Sequence, residues 1–272
     1  GQLYIYSKNI GGRMMLKQKG PSGLDTPFQS GIAQNKIGFW NPPGNSTTVP
    51  AVFGLQAFTA ISAGATATSR NVATTDLLTR SRRLGYNSGA ATNNYAGIYH
   101  PAAQWTVGDG AGLGGFYYIV RWGSTQTGTG YAFFIGLGSS TSAQTDGTGI
   151  DPTTQTNQIG VGAATGDTNY QIVYGGSAAQ TKINLGASFP KSTASGLYEL
   201  VLYAPPSLNN TVYYRVSNLT TAVESSGTLT GTAGTALPSS TTFLTPRIWK
   251  HTGSSATAGQ LDIINIYIET DS

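Results

Sequence analysis

The chain has no cysteine, which removes disulfides, thiolate catalysis and every zinc or iron–sulfur site built on sulfur ligands. Charge is scarce as well. Only 10% of the 272 residues are Asp, Glu, Lys or Arg, a poor supply for the clustered titratable groups of an active site. Histidine occurs twice, at His100 and His251, so a histidine-centred metal site needs further strong ligands. No G-x-S-x-G turn is present to carry an α/β-hydrolase nucleophile. No apolar run approaches the ~20 residues of a membrane helix, and membrane insertion is not expected. The opening GQLYIYSKNI lacks the basic and apolar regions of a signal peptide and reads as a processed or trimmed end. Long helical periodicity is missing too.

What the chain has instead is 37 glycines, abundant Ser and Thr, and 15 Tyr, 9 Phe and 4 Trp, enough large side chains for a substantial core. The formal charge of +4 reflects 15 basic against 11 acidic residues. Basic residues gather at Arg13/Lys17/Lys19 and at Arg80/Arg82/Arg83, and both groups read as solvated faces. Nucleic acid would require a larger basic surface interleaved with stacking aromatics. An anionic polysaccharide or an acidic neighbouring subunit fits the weak positive balance better.

From about residue 51, aromatic and β-branched runs recur at short intervals: FYYIVRW (116–122), YAFFIGLG (131–138), QIGVGA (158–163), YQIVYG (170–175), LYELVLYA (197–204), TVYYRVSN (211–218), VESSGTLT (223–230), FLTPRIWK (243–250) and LDIINIYIET (261–270). In LYELVLYA, alternation sets Tyr198, Leu200 and Leu202 on one face and Leu197, Glu199, Val201 and Tyr203 on the other, as for a strand with one core face. Regular short strands with turn signals predict a sandwich or barrel. Only ATTDLLTRSRRLGY (73–86) is a helix candidate, with Thr75 as N-cap and Gly85 as stop, and a strand fits it nearly as well. Residues 1–50 read as an N-terminal arm or connecting segment and 51–272 as the sandwich. LYIYS and RMMLKQK are short strands of the arm, and its apolar residues Met14, Leu16, Phe28, Ile37, Phe39 and Trp40 need cover from the main domain or a partner subunit.

Few motifs carry chemistry. Gly110, Gly112 and Gly115 match G-x-G-x-x-G but lead into a strand rather than a helix, so they read as a turn. Glu269/Asp271 is the one close acid pair at a strand end; Glu199, Glu224 and Asp262 are the other strand acids, and glycoside hydrolysis would need two of them to flank a bond. Asp146, Asp151 and Asp167 are open to two readings, calcium ligands or turn residues. No cofactor is expected. The segment NNYAGIYHPAAQWTVGD (93–109) combines Tyr95, Tyr99, His100, Gln104, Trp105 and Asp109. Aromatic faces stack on sugar C–H groups while amides and carboxylates bind hydroxyls, which nominates these six for ligand contact. Packing into the core or a subunit interface is the alternative.

The segments GRMMLKQKGPSGLDTPFQ (12–29), KIGFWNPPGN (36–45), RNVATTDLLTRSRRLGY (70–86), GAGLGGFYY (110–118), QIVYGGSAAQT (171–181), YELVLYAPP (198–206), NNTVYY (209–214) and INIYIET (264–270) together resemble a family of tailed-bacteriophage tail fibre or fibre-like virion proteins. The resemblance implies an all-β protein: a lectin-like jelly-roll (concanavalin-like) β-sandwich with an extended N-terminal arm, located on the virion. It implies a homotrimer whose partners are other virion proteins and a host-surface polysaccharide. The expected role is non-enzymatic receptor binding in host attachment, with a purely structural capsid or tail decoration as the alternative and a polysaccharide depolymerase as the third reading.

Overall fold

The computed structural model describes residues 2–19, 25–27, 36–42, 49, 54–88, 90–125, 128–142, 151–253 and 259–270. In chain order the first strands are β1 (Tyr4–Ile10), β2 (Arg13–Lys19), β3 (Asp25–Pro27), β4 (Lys36–Trp40), β5 (Thr59–Ala63) and β6 (Ala65–Ser69). Then come β7 (Leu84–Ser88), β8 (Tyr95–Tyr99), β9 (Phe116–Ser124), β10 (Ala132–Gly138), β11 (Gln158–Ala163) and β12 (Gln171–Gly175). The last are β13 (Ile183–Asn184), β14 (Gly196–Ala204), β15 (Thr211–Asn218), β16 (Val223–Thr230), β17 (Thr245–His251) and β18 (Gly259–Thr270).

Two antiparallel sheets form the sandwich. One has seven strands in the order β13-β12-β11-β10-β17-β8-β5; the other has eight, β16-β15-β14-β9-β18-β7-β6 with β4 also paired to β18. One edge of β18 is shared, β7 pairing with Gly259 to Ile263 and β4 with Ile266 to Thr270. This is the predicted sandwich class.

Period-2 alternation builds the core between the sheets. Phe116, Tyr118, Val120 and Trp122 of β9 and Tyr198, Leu200 and Leu202 of β14 meet Phe133, Ile135 and Leu137 of β10, Ile159 and Val161 of β11 and Ile248 of β17. Trp122 ties the layers together: its ring stacks on Tyr198 at 5.5 Å, lies edge-on to Tyr170 at 5.8 Å and touches Phe133 at 6.1 Å. The faces read for LYELVLYA hold, with Tyr198, Leu200 and Leu202 inward. In β18 a bulge between Ile263 and Asn265 keeps Ile263 and Ile266 both in the core while turning Ile264 outward.

Part of the segment assigned to the arm belongs to the sandwich. β4 pairs with β18 and Trp40 is fully buried in the core, because that strand completes an edge β7 leaves open. The segment preceding β7 is neither helix nor strand over 74–81. Asp76, not Thr75, organises a turn there, its carboxylate accepting from the Thr79 amide at 2.7 Å. The turn lowers Leu78 onto the outer face of the eight-stranded sheet, against Leu197 and Ile264.

Candidate functional site

The structure divides the six residues nominated from 93–109. Tyr95 and Tyr99 alternate with the core residues Ala96 and Ile98 and so face outward from the seven-stranded sheet. They pair in register with His251 and Arg247, and Tyr95 stacks on His251 at 5.8 Å. His100 and Trp105 turn inward, 0% and 1% exposed. The His100 ring donates from Nδ1 to Ala102 O at 2.8 Å and accepts the Gln56 amide at Nε2, 3.2 Å, which fixes a neutral tautomer. It meets Phe58 and Trp105 edge-on at 5.5 and 5.8 Å, and burial lowers its pKa. Gln104 is half-buried, with its backbone amide on Leu244 O. The Asp109 carboxylate folds the glycine-rich loop, accepting from Ala111 and Leu113 amides at 2.7 and 2.9 Å. Those amides, Leu113 foremost, hold its pKa below the usual carboxylate value. Of the nominated rings, His100 and Trp105 close the end of the core, while Tyr95 and Tyr99 stay on the outer face of the seven-stranded sheet.

The G-x-G-x-x-G stretch is a turn, with φ of +85°, +108° and +79° at Gly110, Gly112 and Gly115. Asp151 caps the 3₁₀ turn Pro152–Thr154 through the Thr153 amide at 2.9 Å, and Asp167 pairs with Lys182 at 2.7 and 2.9 Å. Asp146 lies outside the described residues. Among those described, no group of three or more acids or histidines is placed to hold a metal.

The outer face of the eight-stranded sheet carries more chemistry. Register sets three rows across β18, β9, β14 and β15: Asn265, Arg121, Glu199 and Ser217; Tyr267, Ile119, Val201 and Arg215; Glu269, Tyr117, Tyr203 and Tyr213. Cross-strand neighbours pair directly. Glu199 accepts from Arg121 Nε at 2.7 Å and Arg215 Nη2 at 2.9 Å, while Arg215 Nη1 reaches Glu224 at 3.3 Å. Tyr203 stacks on Tyr213 at 6.1 Å and meets Tyr117 edge-on at 6.3 Å.

The β1–β2 hairpin folds back over these rows. Its turn is Gly11-Gly12, with φ of +59° and +89°, the left-handed pair that a tight hairpin needs. The same glycines seat the tip: a Cβ on Gly11 would lie 2.7 Å from Val201 Cγ1, and one on Gly12 2.7 Å from Tyr213 Cγ. Arg13 forms an ion pair with Glu269 and lies over the Tyr117 ring at 5.2 Å. Val201, outward-facing, is fully buried beneath this cover.

Between hairpin and sheet runs a cleft of about 400 Å³. The hairpin contributes Lys8, Ile10, Met15 and Lys17; the sheet contributes Tyr117, Ile119, Arg121, Glu199, Arg215, Asn265 and Tyr267. A second hollow of about 530 Å³ at the hairpin tip shares Lys8 and Arg215 with it, so the two are contiguous. Guanidinium, amide, phenol and aliphatic groups thus converge in one concavity of ligand size. None of its sheet residues except Glu199 was singled out from the sequence. Alternation along β9 and β15, applied as it was to β14, puts Arg121 and Arg215 on the faces opposite the core residues, and strand register then sets them beside Glu199.

The strand acids Glu199, Glu224, Asp262 and Glu269 each carry a cation. Besides Glu199 and Glu224, Glu269 pairs with Arg13 and accepts the Tyr267 hydroxyl. Fully buried Asp262 takes Arg70 Nε on one oxygen at 3.0 Å and Arg83 Nε on the other at 2.9 Å. Arg83, expected on a solvated face, is thereby 6% exposed. Asp271 lies outside the described residues.

No protein-family model and no curated protein matches the chain. Solved structures do. Peanut lectin aligns with a TM-score of 0.55 and 11% identity over 86% of this chain and 97% of its own. Arcelin-5, a lectin-like defence protein of Phaseolus vulgaris, gives 0.54 and 10% over 86% and 98%. A winged bean acidic lectin gives 0.53 and 11% over 87% and 98%. At such identities the likeness concerns architecture, and the chain has the lectin-type (concanavalin-like) β-sandwich.

Proposed function

We propose that the chain is a glycan-binding domain of a phage virion appendage, a tail fibre or spike component, which takes a host-surface polysaccharide into the cleft under the N-terminal hairpin. The observation that carries this reading is the cleft itself, built on a lectin-type sandwich and lined by Arg121, Asn265 and Tyr267. Hydroxyl-binding groups and a phenol ring in one concavity are what sugar recognition requires. The winged bean lectin of the same architecture was solved with methyl-α-D-galactose, which supports the ligand class. Assembly as a homotrimer with other virion proteins would multiply weak single-site contacts. Catalysis is not part of the reading. A glycosidase needs two carboxyl groups free to flank the scissile bond, whereas among the described residues Glu199, Glu224, Asp262 and Glu269 are each engaged by at least one guanidinium.

A second reading, a purely architectural joint, is favoured by the outer face of the hairpin, where Leu3, Ile5, Met14 and Leu16 are 50–62% exposed. The deciding experiment is binding of the purified oligomer to host cells and their extracted polysaccharides, with Asn265→Ala and Tyr99→Ala alongside. Binding weakened about tenfold by Asn265→Ala, the loss of one or two hydrogen bonds, and unchanged in Tyr99→Ala supports the cleft. The reverse pattern moves the site to the seven-stranded sheet. A folded oligomer that binds no polysaccharide sinks the glycan reading and leaves the joint.

A further inference from the structure

Resting on that reading, we infer that the polysaccharide is acidic and that its carboxylates dock on Arg121, with Lys8 facing them from the hairpin. The walls of the cleft hold four cations, Lys8, Lys17, Arg121 and Arg215, against one acid, Glu199. The two arginines are not equivalent. Arg215 is spent inside the protein, with Nη2 on Glu199 and Nη1 on Glu224. Arg121 commits only Nε, to Glu199 Oε2 at 2.7 Å, and its side chain stays 45% exposed. Its two Nη groups have no partner among the described residues, and the side chain lines the cleft. Those groups form the fork that receives a carboxylate through two parallel hydrogen bonds. Lys8, exposed on β1, has no ion pair among the described residues, and its ammonium supplies a second point charge on the opposite wall.

A neutral sugar would leave the Lys8 ammonium and the two Nη groups of Arg121 without an anion to bind, and each hydrogen bond to an ionised partner is roughly twice as strong as a neutral one. The shared residues Lys8 and Arg215 join the cleft to the hollow at the hairpin tip, so an extended chain has room to run past the Arg121 contact. A nucleic-acid strand fits less well. Tyr117 is 2% exposed and held edge-on to Tyr203, which denies bases the open aromatic platform that single strands require.

The test is titration calorimetry of the whole protein with polygalacturonate, alginate and hyaluronate, each before and after carbodiimide reduction of its carboxyl groups to alcohols. Neutral dextran and a thymidine oligonucleotide complete the set. The expected result is binding to at least one polyuronate, weakened tenfold or more by carboxyl reduction and by Arg121→Gln, and weakened several-fold by Lys8→Gln. Melting temperatures of both variants should match the parent, since Glu199 keeps Arg215 and Lys8 is exposed. Equal affinity for a polymer and its reduced form overturns the acidic assignment while the glycan reading stands. So does binding confined to dextran. Tighter binding of the oligonucleotide than of any polyuronate overturns it in favour of a phosphate polymer. If the folded protein binds none of these polymers and no host polysaccharide, both proposals fall together.

Discussion

Trp105→Ala separates a core aromatic from a ligand platform. The indole is 1% exposed, lies edge-on to His100 at 5.8 Å, and the Trp105 backbone is tied to Leu244 by reciprocal hydrogen bonds. A tryptophan buries roughly 200 Å², and at about 25 cal/mol per Å² its removal forfeits about 5 kcal/mol, an upper figure because the unfolded chain already buries part of that surface. Measured truncations of large core aromatics cost about 3–5 kcal/mol. For a domain of this size each kcal/mol moves the midpoint by about 2–4 °C, so Trp105→Ala should melt about 6–20 °C below the parent. Thermal unfolding followed by far-UV circular dichroism reads the shift directly. Tyr99→Ala, on an outward face, serves as the control and should move the midpoint little. A Trp105→Ala protein that melts within about 2 °C of the parent yet has lost glycan binding would show that the indole is a binding platform and that the burial argument fails.

Asp262→Asn leaves the buried guanidinium of Arg83 and that of Arg70 without their carboxylate, and should cost about 3–5 kcal/mol in denaturant unfolding; a loss under about 1 kcal/mol would mean the ion triad is idle. Lys250 is 1% exposed, its ammonium 4.5 Å from the Tyr131 ring centre, and burial, then Lys191, push its pKa well below the usual lysine value. The unfolded chain therefore binds the extra proton, and stability should rise with pH from the folded-state pKa to about 10.4. Lys250→Met should be more stable than the parent at neutral pH and flatten that slope; an unchanged slope refutes the assignment. His100, held neutral by its two bonds, works at the acid end: its lowered folded pKa means stability is present above about 6.5 and declines as pH falls below it. His100→Gln should soften that acid decline in pH-dependent melts, and an identical acid limb would count against it. Gly136→Ala puts a Cβ 2.3 Å from the Ile159 carbonyl oxygen on the neighbouring strand, so it should destabilise by about 1–3 kcal/mol or more, whereas the same change at solvent-open Gly166 should leave the denaturation midpoint nearly in place.

Absence of helical periodicity and the spacing of aromatic runs were enough to read the chain as an all-β sandwich or barrel, because period-2 alternation needs only local sequence. The same alternation correctly divided Tyr198, Leu200 and Leu202 from Glu199, Val201 and Tyr203. It cannot say what covers an outward face. Trp105 and Tyr99, six residues apart in an aromatic-rich stretch, look alike as ligand contacts in sequence; the turn after β8 sends one into the core and leaves the other half-exposed. Val201 and Tyr213 read as surface until a hairpin from the other end of the chain closes over them. Arg83 reads as solvated until Asp262, 179 positions away, neutralises it. Burial of polar and aromatic groups depends on pairings between residues far apart in the chain, and those pairings, which alone assemble the cleft under the hairpin, were decided by tertiary structure.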